Sequence, residues 1–530
     1  MSAPITLTKP LDPLPGSSAA RASESSGARG HTYGQILKSS TLIGGASVLN
    51  IGLGIIRTKA MALILGPAGV GLLGLYGSVA DLARTVAGMG INSSGVRQIA
   101  EAVGTSDTRR VARTVTTLRR VALFLGALGA LLLLALCYPV SRLSFGDYQH
   151  AGAVALLALA VLFGAVSAGQ MALVQGMRRI RDLALVNVLG SLLGLLVGVP
   201  IVYVMGNAGV VPSLVGVAGA GIVVSWWYSR KIKVEPLAMK LREVSGEISM
   251  LLKLGFVLMA SGLMVVGVAY AVRIIVLRKM GEDAAGFYQA AWTLGGLYVA
   301  FILQAMGADF FPRLTAVAND RSECNRLVNE QAEVSLLLAG PGIIGTLTFA
   351  PLVIQLFYSS KFGPAVEILR WICLGMMMRV ASWPMGFILL AKGARQPFFW
   401  SELASSAVQV GLVWVCVAVY GLKGTGMAFF GGYVFYWFLI YAIVRSASGF
   451  RWSAANKQIG LTYGAMIAGV FVAWYYLPRL LVMVSGTGIT LLAGILSLKK
   501  LCTLVPLERL PRLAQRCILF LRLAPPPERG

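Results

Sequence analysis

The chain has 530 residues, 57% of them hydrophobic and 13% charged, with a mean hydropathy of +0.76. A soluble domain carries about 25% charged residues, so this composition excludes a soluble globular protein and points to an integral membrane protein. The net charge of +25 does not imply a nucleic-acid partner, because Lys and Arg sit in short connections between apolar runs, as membrane topology demands.

Residues 1–34 are rich in Ser, Gly, Ala and Pro and read as a disordered cytoplasmic tail without the apolar core of a signal peptide. About 20 apolar residues cross the hydrocarbon layer as a helix. On that ruler, helices fall near 40–65, 68–91, 121–139, 151–175, 183–205 and 208–228. A second set falls near 255–277, 285–308, 333–358, 364–391, 397–420 and 424–444, and a last pair near 458–477 and 480–498. The expected fold is an all-α polytopic membrane protein of about 14 transmembrane helices. Its parts are an N-lobe (35–228), a cytoplasmic connector (229–252), a C-lobe (253–446), an extra helix pair (447–500) and a cytoplasmic tail (501–530). With the N-terminus inside, the inner loops carry 22 Lys/Arg and the outer loops six, the asymmetry expected of a correctly counted set. That count places both termini in the cytoplasm.

The two six-helix sets repeat. Arg57…Leu65-Gly66-Pro67-Ala68-Gly69-Val70-Gly71 is echoed by Arg273…Met280-Gly281-Glu282-Asp283-Ala284-Ala285-Gly286, and Met89-Gly90…Arg97 by Met306-Gly307…Arg313. Arg181…Gly206-Asn207-Ala208-Gly209 matches Arg395…Gly421-Leu422-Lys423-Gly424 at nearly the same offset. Six helices per unit is an even number, so the lobes share one orientation and build a cleft between them. Neither the six cysteines nor the two histidines show metal-site spacing, so no cofactor, metal or catalytic group is implied.

The stretch Gly34–Gly104, with its core Leu65–Gly71 leading into Gly88-Met89-Gly90-Ile91-Asn92-Ser93-Ser94-Gly95-Val96, resembles the opening of bacterial O-antigen flippases. These are polysaccharide-biosynthesis transporters of the multidrug/oligosaccharidyl-lipid/polysaccharide exporter superfamily. Pro312-Arg313-Leu314 and Lys361-Phe362 agree in the second half. The resemblance implies two six-helix lobes around a central cavity that opens to either side in turn, in the bacterial cytoplasmic membrane. It also implies a substrate, undecaprenyl-pyrophosphate-linked oligosaccharide, moved from the inner to the outer leaflet. Membrane lipids and the polysaccharide polymerase machinery are the other partners of such a system. Many members have twelve helices, and the pair after residue 457 departs from that pattern.

Seven cations lie within or beside the apolar runs: Arg57, Lys59, Arg84, Lys253, Arg273, Arg370 and Arg379. A cation near the bilayer centre costs about 3 kcal/mol, so it faces a partner or a watery cavity. Five are candidate substrate contacts: Arg57, Arg84, Arg273, Arg379 and Lys59. A planar guanidinium can bind two pyrophosphate oxygens at once. Arg57 lies roughly 12 Å from its outer helix end and Arg379 roughly 18 Å from its inner one, too deep to snorkel easily. Lys59, two residues from Arg57, points to nearly the opposite face. Asp81 reads as the carboxylate well inside a helix core and is the coupling candidate. It stands three residues before Arg84, where the two can equally form a local ion pair. Glu367 and Arg370, also three apart, are expected to pair. Gly190 and Gly194 read as close-packing positions, and Pro341 and Pro384 as kinks.

A multidrug exporter of the same superfamily is one alternative, but cationic drugs call for cavity carboxylates where this chain offers arginines. A membrane enzyme of polysaccharide assembly is another. It calls for an intramembrane His or a large outer loop, and the sequence shows neither.

Overall fold

The computed structural model describes residues 17–104, 108–232 and 241–504. Residues 1–16 of the expected N-terminal tail, 233–240 of the connector and 505–530 of the C-terminal tail lie outside the described residues. The first lobe holds α1 (Ser17–Gly88), α2 (Ile91–Gly104), α3 (Thr108–Ala135), α4 (Cys137–Phe145), α5 (Ala151–Gly176), α6 (Ile180–Met205) and α7 (Val210–Ser229). The second holds α8 (Leu241–Met280), α9 (Glu282–Ala316), α10 (Arg321–Thr348), α11 (Ala350–Phe357), α12 (Ala365–Ala391), α13 (Arg395–Tyr420) and α14 (Gly424–Ser448). Helices α15 (Ala454–Tyr476) and α16 (Arg479–Leu504) follow, and no strand occurs among the described residues.

Eight described stretches are long and apolar enough to cross a membrane, and a bent pair makes a ninth. Three of the eight run for 44, 50 and 54 residues, about twice one crossing. They turn at Gly66, at Gly206–Gly209 and at Gly421–Lys423. The protein is thus a multi-pass all-α membrane protein compatible with fourteen crossings. Its apolar exterior fits this: Leu461 and Tyr476 are 77% and 82% exposed, as lipid-facing side chains are.

The repeat is written into the backbone. Left-handed φ values fall at Gly66 and Gly281, at Arg178 and Gly393, and at Gly206 and Gly421. Each pair is separated by the offset that the glycine pattern shows in the sequence. Arg178 holds φ 55° in the first lobe where the second uses Gly393, so one member of that pair bears the strain the other avoids.

Two single helices of the sequence reading are broken. Predicted helix 121–139 divides into α3 and α4, and 333–358 into α10 and α11 with a bend of 81°. Pro139 and Pro351 lack the N–H that would bond the carbonyl four residues back, so each helix ends one turn earlier. Pro341 and Pro384, expected as kinks, stay inside α10 and α12.

Helices α15 and α16 pack on α10. Asn456 Nδ2 donates to the Asn329 carbonyl (2.8 Å), Asn329 Oδ1 accepts from the Ser453 amide (2.8 Å), and Asn329 Nδ2 donates to the Arg451 carbonyl (3.0 Å). Lys500 reaches Glu333 at 3.9 Å. In lipid, where apolar contact between helices gains little, such polar ties and close small-residue contacts hold helices together.

Candidate substrate cavity and its cations

At the end of the bundle marked by Gly66 and Gly281, here the upper end, the two lobes touch across a repeat-related contact. A Cβ on Gly71 would lie under 3 Å from the Glu282 carbonyl and the Gly286 amide, and one on Gly286 equally close to the Pro67 carbonyl. Gly71 and Gly286 are repeat equivalents, as are Pro67 and Glu282, so the contact is the same patch used twice about a two-fold axis. No side chain fits at either glycine without moving a backbone. Two further ties join the lobes: Lys59 Nζ donates to the Gln355 carbonyl at 2.8 Å, and Ser144 and Tyr270 share a hydroxyl hydrogen bond at 2.6 Å.

Lys59 is therefore engaged by the opposite lobe. Its position agrees with the helix-wheel expectation that it faces away from Arg57.

Arg273 is buried, at 8% exposure. Its Nε donates to Gln289 Oε1 (2.9 Å) and its Nη1 to the Ala269 carbonyl (2.9 Å). Gln289 is fixed in turn by donating to Thr293 Oγ1 at 3.1 Å. The first lobe places Gly74 at the position equivalent to Gln289, and a Cβ on Gly74 would strike the Gln289 amide. The glycine opens the slot that Gln289 enters. Arg57, one residue out of register with Arg273 on the offset that relates Gly74 to Gln289, has no such amide beside it.

Arg57 is exposed and has no hydrogen-bond or ion-pair partner among the described residues. Its Nη1 lies 3.9 Å from where a Cβ on Gly194 of α6 would stand, so that glycine makes room for the guanidinium as well as packing against Val217. Gly190 has nothing within 4 Å to pack against. Arg379 of α12 is likewise free of hydrogen bonds and salt bridges from its guanidinium among the described residues. It meets only the Tyr433 ring, 5.9 Å from the centroid.

Arg84 and Asp81 do pair, on one face of α1, with 41% and 57% of each side chain exposed. Arg84 Nε also donates to the Ala80 carbonyl at 3.3 Å, and its stem lies against Gly164 of α5. Arg84 lines a cavity of about 330 Å³ walled mainly by α1, α2, α3 and α5 of the first lobe, through residues such as Thr85, Asn92, Leu125 and Gly164, and closed by Met259 and Gly262 of α8; Arg57, Arg273 and Arg379 are not among its lining residues. Of the four deep arginines, only Arg84 has a carboxylate. Arg57, Arg273 and Arg379 keep uncompensated positive charge among the described residues.

The remaining expectations divide. The Lys253 side chain lies outside the described residues. Glu367 and Arg370 do not pair: the guanidinium sits over the Trp474 ring instead, 3.9 Å from its centroid. Asp81 is also not the only carboxylate inside a helix. Glu402, near the lower end of α13, accepts a 2.8 Å hydrogen bond from the Tyr436 hydroxyl and has no cation beside it. Its acidic side chain in an apolar run is a legible signal that the sequence reading passed over.

The family model described as polysaccharide biosynthesis protein matches residues 60–367, more than half of the chain. The chain belongs to the polysaccharide biosynthesis protein family. It is 24% identical to the lipid III flippase of Escherichia coli (strain K12) over 416 residues, covering 76% of this chain and 97% of that protein. The lipid III flippase of Shigella flexneri matches equally. Among solved structures, the lipid II flippase MurJ in an inward closed conformation superposes with a TM-score of 0.65 at 15% identity, covering 87% of this chain and 99% of that one. An inward-facing multidrug resistance MATE family transporter of the MOP superfamily gives 0.63 at 18% identity, covering 77% and 95%. The fold of this family member is therefore that of the MOP-superfamily transporters, as the resemblance in its sequence implies.

Proposed function

We propose that the protein is a flippase that moves undecaprenyl-pyrophosphate-linked oligosaccharide, an O-antigen or exopolysaccharide repeat, from the inner to the outer leaflet of the bacterial cytoplasmic membrane. The observation that carries this reading is the uncompensated charge of Arg57 in one lobe and Arg379 in the other. A bare guanidinium deep in a membrane protein is costly unless an anion or water meets it, and a pyrophosphate supplies acceptors for both. The lipid III flippase relatives support the same substrate class.

Alternating access fits the geometry. The upper contact through Gly71 and Gly286 keeps the lobes together at one end, and tilting the lobes apart, across the repeat axis rather than about it, would open it. A cavity of about 330 Å³ is at the small end for ligand sites, which run ~300–1,000 Å³. It suits a pyrophosphate headgroup, while the oligosaccharide requires the lobes to part. Arg84 lines this cavity; Arg57 and Arg379, which stand outside its lining, meet the headgroup once the lobes part, and Arg273 supports the closed state through Gln289. Transport needs no bond made or broken, so the protein acts as a carrier rather than an enzyme.

Complementation tests this. In a strain lacking its own O-antigen flippase, the wild-type chain should restore surface polysaccharide, and Arg57→Ala should not. Arg57→Lys should restore part of it, since charge survives while the bidentate fork is lost. Full display by Arg57→Ala at normal membrane abundance would remove Arg57 from the site.

A further inference from the structure

The upper end of the second lobe holds a cavity that transport between the lobes does not use. It measures about 300 Å³ and is lined by Pro364, by Glu367 and Arg370 of α12, and by Lys423 in the turn before α14. The Arg370 guanidinium is held against Trp474 of α15, and its Nε is buried with no acceptor; Trp474 Nε1 is in the same condition. Buried donors without partners are rare in folded proteins, and each calls for an explanation. Lys423 is exposed and has no partner among the described residues. Glu367 is the carboxylate of the cavity, and its Oε1 is turned to the Tyr475 hydroxyl at 3.5 Å rather than to Arg370.

Positive charge thus exceeds negative around the space, where the Arg370 guanidinium, stacked on Trp474, and Lys423 stand in the wall with Glu367 as the carboxylate. That chemistry fits an oxyanion with several acceptor oxygens. The cavity stands at a helix end beside Trp and Tyr, which mark the headgroup level of a bilayer. We propose that it binds the phosphate of an anionic membrane lipid, and that the bound headgroup ties α15 to the second lobe. The same chemistry is offered by a glycerophospholipid and by a polyprenyl pyrophosphate. The site stands on its own, whatever the cavity between the lobes carries.

Native mass spectrometry of the full chain, purified in neutral detergent with phosphatidylglycerol or phosphatidylcholine added, tests the proposal. Wild type should retain phosphatidylglycerol about tenfold better than phosphatidylcholine. Arg370→Gln and Lys423→Gln should each lose most of that preference, while Arg142→Gln, at the upper end of the other lobe, should keep it. Displacement by added farnesyl pyrophosphate would support the site and assign it to a polyprenyl pyrophosphate; resistance to displacement would support it as a glycerophospholipid site. Equal retention of both phospholipids by wild type would overturn the proposal. So would an unchanged preference in Lys423→Gln, an exposed position whose loss leaves the Arg370–Trp474 stack intact.

Discussion

Replacing Gly286 by alanine adds one methyl group at a point where the Pro67 carbonyl already occupies the space. The backbone at Gly286 is ordinary helix, so the substitution costs no conformational strain, and the methyl meets the opposite lobe rather than its own. Overpacking of this kind costs about 1–3 kcal/mol. Because the clash exists only while the upper contact is closed, that energy shifts the equilibrium toward lobes parted at the top by about 5- to 150-fold. Gly71→Ala should act alike, as the equivalent residue of the other repeat. Gly77→Ala, with nothing within 4 Å of its Cβ, should change nothing. The assay uses Thr85→Cys in the inter-lobe cavity as a reporter, in a background without the native cysteines. An impermeant thiol reagent added outside should label it faster in Gly286→Ala and Gly71→Ala than in the parent or Gly77→Ala. Equal labelling in all four proteins at normal abundance would refute the role of this contact as the upper seal.

Further outcomes follow from the same geometry. The Asp81–Arg84 pair is about half exposed, and such pairs contribute about 0–1 kcal/mol, so Asp81→Asn should accumulate normally in the membrane. If Asp81 only pairs, transport by Asp81→Asn with Arg84→Gln should still respond to a pH gradient in vesicles; loss of that response in Asp81→Asn alone would assign it to coupling. Single cysteines at Arg110, Arg179 and Lys231 should label only from the cytoplasm, and those at Asp147, Glu282 and Lys423 only from outside; outer labelling at Lys231 would sink the fourteen-helix topology. Asp320 caps α10 by accepting the backbone N–H groups of Glu323 and Ser322, which holds its carboxyl below the usual range. A depressed value means that its support is present above the unfolded-state value and is lost as the pH falls through the folded one. The protection of the first-turn amides of α10, taken relative to the intrinsic exchange rate at each pH, should be high at neutral pH and lower in acid, and low at both in Asp320→Ala; a wild-type protection insensitive to acid would refute the cap.

Helix placement and the repeat were legible because they depend on local signals: apolar length, loop charge, and glycines at a constant offset. The left-handed turns at Gly66 and Gly281 come out where those glycines stand. The Asp81–Arg84 pair was legible for the same reason, being set by spacing along one helix. Contacts made across the fold were not. Arg57 and Arg273 stand in corresponding stretches of the two lobes, one residue out of register, yet one is free and the other is bound by Gln289, which enters the slot left by Gly74; the sequence shows these residues but not that they meet. Lys59 finds its acceptor on a backbone carbonyl in the other lobe, which no side-chain pattern announces. Glu367 and Arg370 have the spacing of an ion pair, but Trp474 arrives from the extra helix pair and takes the guanidinium. The break before α11 was foreseeable from Pro351, whereas Pro341 and Pro384 drew attention without breaking their helices.

The central claim, that the uncompensated arginines of the two lobes carry a lipid pyrophosphate across the membrane, is tested most directly by reconstitution. Vesicles holding the purified chain and a fluorescent oligosaccharide on undecaprenyl pyrophosphate should expose inner-leaflet label to an impermeant quencher over time. Arg57→Ala and Arg379→Ala should each slow that exposure to the rate of protein-free vesicles while remaining folded. Wild-type exposure no faster than in protein-free vesicles, or undiminished exposure with both arginines removed, would contradict the account.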